Sequence, residues 1–278
     1  METLSICVPA YNAERTLAAT LQSILRTDDE FELVVLDNAS TDKTRAIAES
    51  FDDPRIRVHA NDDMLPIGAN WNRAVRLSTG KLVKVVCADD VLLPGALTAQ
   101  LKIMSDRSIA LSSGRYQVID AEDVIVESGL GICGLEGRRE GRDLMRAIVR
   151  GGPMQFGPTA AAMFRRSHFD LVGGIRGDLI FPMDVDLFAR VGAFGAFFGM
   201  PTVLAAWRTS PFNLCSRTST VSKLSEMFRF HHRLAADYPQ VVRQRDALAG
   251  DRRLARAAME RLRVRMATGV WHPSGGPR

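Results

Sequence analysis

The chain has 278 residues, 46% of them hydrophobic and 24% charged, with a net charge of +4. That balance suits one large α/β domain with an extension, or two small domains. No apolar run approaches the roughly 20 residues of a membrane-spanning helix, and METLSICVPAYN lacks the basic and apolar regions of a secretion signal, so a soluble cytosolic protein is expected. Eight arginines between Arg243 and Arg265 face only Asp246, Asp251 and Glu260 there. Positive charge confined to the tail argues against a nucleic-acid binder, which would present a broad basic face.

In chain order, Leu4 to Val8 reads as a strand, followed by a loop at Pro9–Asn12 and a helix with Leu17, Leu21, Ile24 and Leu25 on one face. Phe31 to Leu36 is a second strand, ending in Asp37. Asp42 caps a helix to about Phe51, and Arg55 to His59 is a third strand. A helix over Ile67 to Leu77 precedes a fourth strand, Lys81 to Cys87, which ends in Asp89 and Asp90; Pro94 opens a helix to about Ser105. Strands alternating with helices predict βαβ units and a mainly parallel sheet. Ligands bind such sheets at the C-terminal strand edge, where strand order reverses.

Further on, Arg115–Val126 predicts a hairpin turning at Asp120–Asp123, Gly137–Arg150 a helix, Thr159–Phe164 a strand, Asp184–Phe194 a helix and Ala196–Trp207 a strand. Glycines and prolines crowd a mobile loop at Gly151–Pro158. Beyond Ser216 the chain is helical and polar, ending in HPSGGPR, a composition that favours disorder. The expected division is a catalytic domain over 1–215 and a basic helical extension over 216–278. Leu254, Ala258, Leu262 and Met266 form a thin apolar seam beside arginines. Such a helix packs across the domain or rests on anionic lipid at the inner face of a membrane, and the thinness of the seam favours packing.

Three predicted strand ends carry polar loops: PAYN at 9–12, DNASTD at 37–42 and ADD at 88–90. Singly, these read equally well as an Asx turn at Asp37–Asn38, a helix cap at Asp42 and a strand stop at Asp89–Asp90. Their joint placement at one sheet edge points to a site. Paired aspartates suit a hard divalent cation, Mn²⁺ or Mg²⁺, bound together with ligand phosphates. No Walker A lysine loop or GxGxxG follows the first strand, which counts against a P-loop NTPase or a nicotinamide enzyme. Cys7, Cys87, Cys133 and Cys215 form no metal-binding or disulfide pattern, and Cys7 and Cys87 read as small buried hydrophobes. On the helix after Phe181, Asp184 shares the apolar face with Leu187, Phe188 and Val191, a costly place for an unused carboxylate. A favourable interaction with the helix dipole is the alternative. Asp186 lies four residues before Arg190 and is expected to form a solvated ion pair.

SICVPAYNAERTLAATLQSIL, ELVVLDNASTDKT, GANWNRAVRLSTGKLVKVVCADDVLLPGAL and FRRSHFDLVGGI leading into MDVDLFAR stand in this order over residues 3–216. Together they resemble the family 2 glycosyltransferases of the GT-A fold, a nucleotide-sugar-binding α/β fold with helices flanking the sheet. The resemblance implies an inverting, metal-dependent transferase taking a nucleotide-sugar donor, with UDP the nucleotide the family favours. It places Pro9, Ala10, Tyr11 and Asn12 along the nucleotide, Asp37 on the base with Ser40 nearby, and Asn70 and Lys84 in segments facing nucleotide or sugar. It makes Asp89 the metal ligand, Asp90 a neighbour of the sugar and Asp184 the catalytic base. Arg208 is a candidate phosphate contact, with a surface arginine as the alternative. The chain departs from the pattern at Cys87 and Met183, where relatives carry acids, and at Ser210, where a histidine metal ligand often stands.

The reading is therefore sugar transfer to an acceptor hydroxyl on a glycan, lipid-linked sugar or small molecule. A sugar-nucleotidyltransferase would need a glycine-rich basic loop after the first strand, and PAYNAERT is neither. A non-catalytic nucleotide-sugar-binding protein would need no base, and Asp184 counts against it.

Overall fold

The computed structural model describes residues 2–152, 156–210 and 213–268. The expected tail disorder at HPSGGPR, residues 153–155 of the expected mobile loop, residues 211–212, and the Leu262 and Met266 side chains lie outside them. The chain begins with β1 (Leu4–Ala10), α1 (Leu17–Leu25), β2 (Phe31–Asp37), α2 (Thr44–Glu49), β3 (Ile56–Ala60) and α3 (Ile67–Leu77). β4 (Leu82–Val85) leads through β5 (Val91–Leu92) into α4 (Ala96–Met104), and the hairpin β6 (Ile109–Ile119) and β7 (Ile125–Leu130) follows. Then come β8 (Gly137–Glu140), α5 (Gly141–Gly151), β9 (Ala162–Arg165), α6 (Arg166–Leu171), α7 (Met183–Gly192) and β10 (Ala196–Arg208). Three helices finish the chain: α8 (Leu214–Arg217), α9 (Thr220–Asp237) and α10 (Gln244–Thr268).

The predicted α/β architecture is the one formed. In sheet order β3-β2-β1-β4-β9-β6-β10-β5, the first four strands are parallel. β9 runs antiparallel to both β4 and β6, while β10 is again parallel to β6. All seven residues of β1 are buried, as expected of a parallel strand covered on both faces. Leu4, Ile6 and Val8 pack with Leu17, Leu21 and Ile24 of α1 on one face, and Cys7 packs with Trp71, Ala74 and Val75 of α3 on the other. Strand order reverses at β1, with β2 on one side and β4 on the other. The loops after those strands meet at that point.

Two predicted elements differ. Gly137–Glu140 is a strand before its helix, because it pairs antiparallel with Ala196–Gly199 of β10. The helix can start at Gly141 against the end of α7 only because glycine has no Cβ, which would collide with the Gly192 carbonyl. The expected strand at Thr159 opens as a 3-10 turn, Thr159–Ala161, and becomes extended only at Ala162. In the C-terminal extension, Met227, Phe230 and Leu234 of α9 and Ala247 of α10 join the same apolar cluster as Leu111 and Phe188, and Leu254 packs against it. No helix among the described residues is long and apolar enough to cross a membrane.

Candidate active site

The loop after β1 and the loop after β2 are tied to each other. Asn12 N donates to Ser40 Oγ at 2.9 Å, Thr41 N donates to Asn12 Oδ1 at 2.9 Å, and Ala13 N donates to Thr44 Oγ1 at 2.7 Å. Asp42 accepts from Thr44 N at 2.9 Å and from Glu14 N at 3.1 Å, so it serves the start of α2 and the first loop together. Asn12 and Ala39 both hold positive φ, 47° and 56°. That conformation costs a non-glycine residue about 1–2 kcal/mol, and such strain clusters at ligand-binding loops. Pro9 and Ala10 are buried at the end of β1, and Tyr11 is exposed beside them.

Asp37 is buried. Its Oδ2 accepts from Ser40 N at 3.3 Å, but its Oδ1 has no partner among the described residues. A buried acceptor left unpaired is costly unless a ligand donor meets it. Behind it Asn61 Nδ2 donates to Asn38 Oδ1 at 2.6 Å and to Asn70 Oδ1 at 2.9 Å. Asn70 is thus a buried member of the amide network that shapes the Asp37–Asn38 loop.

The acidic loop after β4 is fixed by its backbone. Thr16 Oγ1 donates to Ala88 O at 2.8 Å, Thr20 Oγ1 donates to Asp90 O at 2.8 Å, and Leu92 N donates to Ser23 Oγ at 3.0 Å. Sequence reasoning missed these residues, although spacings of four and three set all three on one face of α1. With the backbone held, Cys87, Asp89 and Asp90 bring one ligand atom each to within 4.8 Å of one another. Burial, and for Asp90 next the charge of Asp89, raises both carboxyls above the usual range, Asp90 well above it. Asp90 Oδ1 accepts from Arg208 N at 3.3 Å, while its buried Oδ2 has no partner among the described residues. Crowded, desolvated carboxylates with an unpaired oxygen fit a divalent cation, which would be held by Asp89 and Asp90 together with diphosphate oxygens. Cys87 lies beside this pair, and burial, then the charges of Asp90 and Asp89, push its thiol well above the usual range, which keeps it neutral.

Asp184 lies in the first turn of α7, half-buried, with Oδ1 accepting from Val185 N at 2.8 Å. Desolvation lifts its pKa to about 6. Cys87 and Asp90 are raised mainly by burial and then by the neighbouring aspartates of the acidic loop, and Asp184 lies near enough to add a smaller contribution to both. The candidate base and the candidate cation site are therefore within electrostatic reach of each other.

Three expectations need correction. Asp186 and Arg190 form the predicted pair, at 2.8 Å, but both are 0% exposed. α7 is covered on the face that would be solvated in isolation, and Arg176 adds a second cation 3.6 Å from Asp186. Removing one partner of a buried pair leaves an uncompensated charge. Asp186→Asn should therefore cost about 3–5 kcal/mol, seen as a lower urea midpoint with an unchanged m value.

Lys84 does not face the site. It is fully buried under α4, donating to Gln100 Oε1 at 2.7 Å and Ala162 O at 3.1 Å, and burial lowers its pKa to about 7. Its strand lies between β1 and β9, which leaves that side chain only the core. Arg208 is neither a surface residue nor uncommitted. Its Nε donates to Asp89 O at 3.0 Å, Nη1 donates to Asp120 O at 3.0 Å, and Nη2 pairs with Asp123 at 2.6 Å. It ties the β6–β7 turn to the acidic loop.

An α/β sheet with acidic loops meeting at its strand-order reversal is the architecture of the GT-A fold. Residues 5–173 match the family described as Glycosyl transferase family 2, and the chain belongs to that family. It is 30% identical over 123 residues to the Escherichia coli UDP-Glc:alpha-D-GlcNAc-diphosphoundecaprenol beta-1,3-glucosyltransferase WfgD, covering 44% of this chain and 49% of that one. Its fold is that of Staphylococcus aureus TarS 1-349, solved with UDP-GlcNAc (TM-score 0.61, 17% identity, covering 98% of this chain and 93% of that one). It is also that of the Pyrobaculum calidifontis mannosyltransferase PcManGT, solved with GDP-Man and Mn²⁺ (TM-score 0.60, 18% identity, covering 98% and 81%). The chain spans about half to two thirds of the length of curated relatives it matches, 49%, 52% and 66% for three of them.

Proposed function

We propose that the protein transfers a sugar, with inversion, from a nucleoside-diphosphate sugar, a UDP-sugar by preference, to an acceptor hydroxyl. The observation that carries this reading is the Asp89–Asp90 cluster at the strand edge that also holds the unpaired Asp37 Oδ1, with Asp184 of α7 within electrostatic reach of Asp90. Asp37 Oδ1 suits an N–H donor of the nucleotide base, and Pro9 to Asn12 with Ser40 line that part of the site. Asp184 takes the proton of the acceptor hydroxyl as its oxygen bonds to the anomeric carbon. The bond from that carbon to the diphosphate oxygen breaks, and the nucleoside diphosphate leaves with the electron pair. Asp89, assisted by Asp90, would hold Mn²⁺ or Mg²⁺, which when bound supplies charge stabilisation for the diphosphate. The raised pKa of Asp184 brings a carboxylate closer to a working base at neutral pH without making it protonated there.

The relative named for glucosyl transfer to a GlcNAc-diphospholipid and the fold neighbours solved with UDP-GlcNAc and GDP-Man favour a nucleotide-sugar donor. The test incubates the purified chain and Mn²⁺ with UDP-glucose, UDP-GlcNAc and GDP-mannose, with and without a polyprenyl-diphosphate sugar or an oligosaccharide. Nucleoside diphosphate release that is accelerated by an acceptor is expected. Binding without release from any donor would instead mark a nucleotide-sugar sensor.

A further inference from the structure

α7 has no side-chain cap at Pro182, and Gly173–Pro182 before it has no regular secondary structure. The direction in which Asp184 leaves the backbone therefore depends on whatever holds that connection. Its first residues are held by Asn72, bonded both ways to Ile175, and by Arg190, which donates to Gly174 O; its second half is held by α9, through three residues spaced seven and four apart, on one helical face. Glu226 Oε2 accepts from Ile180 N at 2.8 Å and from Phe181 N at 2.7 Å. Arg233 pairs with Asp178, and Asp237 pairs with Arg176 at 2.6 Å, the same arginine that lies 3.6 Å from Asp186. Of the three, Glu226 is the buried one, and it grips the two amides three and two residues before Met183, where the chain turns into α7.

We infer that Glu226, in the C-terminal extension, is a positioning residue for the base: by accepting from the Ile180 and Phe181 amides it fixes the entry of the chain into α7 and so the placement of Asp184. This rests on the assignment of Asp184 as the base. The C-terminal extension, expected to pack across the domain, thereby becomes part of what makes the active site competent. Two adjacent amides converging on one buried oxygen set both position and direction of the backbone, and charge-assisted hydrogen bonds of this kind are the strong ones. A misplacement of about 1 Å can cost about 10²-fold in rate.

The experiment compares Glu226→Ala, Glu226→Asp and Glu226→Gln in the full chain, using Mn²⁺-supported hydrolysis of UDP-glucose or UDP-GlcNAc, whichever the wild type turns over faster. Glutamine keeps an acceptor oxygen at the same reach, whereas aspartate keeps the charge but is one methylene short. Glu226→Ala and Glu226→Asp should lose kcat by about tenfold or more, with donor KM within about twofold because nucleotide contacts are untouched. Glu226→Gln should restore turnover to within about threefold of wild type. Hydrogen exchange at Ile180 and Phe181 should be fast in the first two variants and protected in the third. If Glu226→Ala does not fold, the order of Gln above Asp in turnover and amide protection decides the matter. Wild-type turnover in both Ala and Asp variants, or equal loss in Gln and Asp, overturns the inference. Asp184→Asn measured alongside separates the two ideas: if it stays active the base assignment fails, and if it is inactive while Glu226→Asp is normal only the positioning role fails.

Discussion

Asp184→Asn is expected to lower kcat by about 10²–10⁴-fold, the usual loss when a general base is removed. Asparagine keeps the size of the side chain and an oxygen that can still accept from Val185 N. It cannot take a proton. Donor KM should change little, because the base acts on the acceptor side, and stability should hold or rise because a desolvated charge is gone. The wild type should also show an acid limb. Burial holds the Asp184 pKa near 6; the ionised form is the base, so activity should be full above that value and fall tenfold per pH unit well below it. The titration has the opposite sign for stability. A carboxyl whose folded pKa lies above its unfolded value favours the folded state at low pH, and that contribution is lost as pH rises through about 6. Rate–pH profiles and pH-dependent melting of wild type and variant would show whether one group governs both. An Asp184→Asn protein with wild-type kcat, or an Asp186→Asn protein that folds normally but does not turn over, would reverse the assignment of the two aspartates.

The difference between those aspartates shows how far the sequence could be read. The strand-end loops were legible because β1, β2 and β4 are parallel neighbours, so their apolar runs end at one edge and the polar residues that follow must meet there. The first-turn position of Asp184 followed from helical periodicity alone. What periodicity cannot supply is the identity of whatever covers the other face of a helix. Asp186 looked solvated because Arg190 was a ready i,i+4 partner, but Arg176 lies against the same side chain and the pair is buried. Lys84 fails for a related reason. A lysine in a strand that ends at the active site reads as a ligand contact, yet the alternation of β4 sends it toward Gln100, a partner sixteen residues away on α4. Arg208 and Glu226 act on backbone atoms far off in sequence, Asp89 O and the Ile180 and Phe181 amides. Backbone acceptors and donors are the same at every residue, so no residue pattern announces such a bond. Thr16, Thr20 and Ser23 were readable in principle, because three hydroxyls on one face of an otherwise apolar helix require buried partners.

Asp89→Asn and removal of divalent metal are expected to abolish transfer together. Charge stabilisation by a bound cation contributes several kcal/mol to such a reaction, and each ~1.4 kcal/mol is a factor of ten, so the loss should be about 10²–10³-fold or more. The fold should survive the substitution, because the Asp89 atom that anchors the loop is its carbonyl, which accepts from Arg208, and asparagine retains it. Stability without metal should even rise. Asp89 contributes to holding the Asp90 carboxyl well above its ordinary pKa, and neutralising one of two crowded carboxylates relieves that repulsion. The signature is therefore a crossing. In EDTA the Asp89→Asn protein should melt at or above the wild-type temperature. With Mn²⁺ the wild type should gain stability as a ligand binding only the folded state requires, and the variant should gain little. Cys87 makes the comparison sharper, because a thiol at this position leaves Asp89 and Asp90 as the carboxylates of the cluster. Cys87→Asp should then strengthen the Mn²⁺-induced rise in melting temperature. Full turnover in excess EDTA would show that Asp89 and Asp90 serve the donor without a cation.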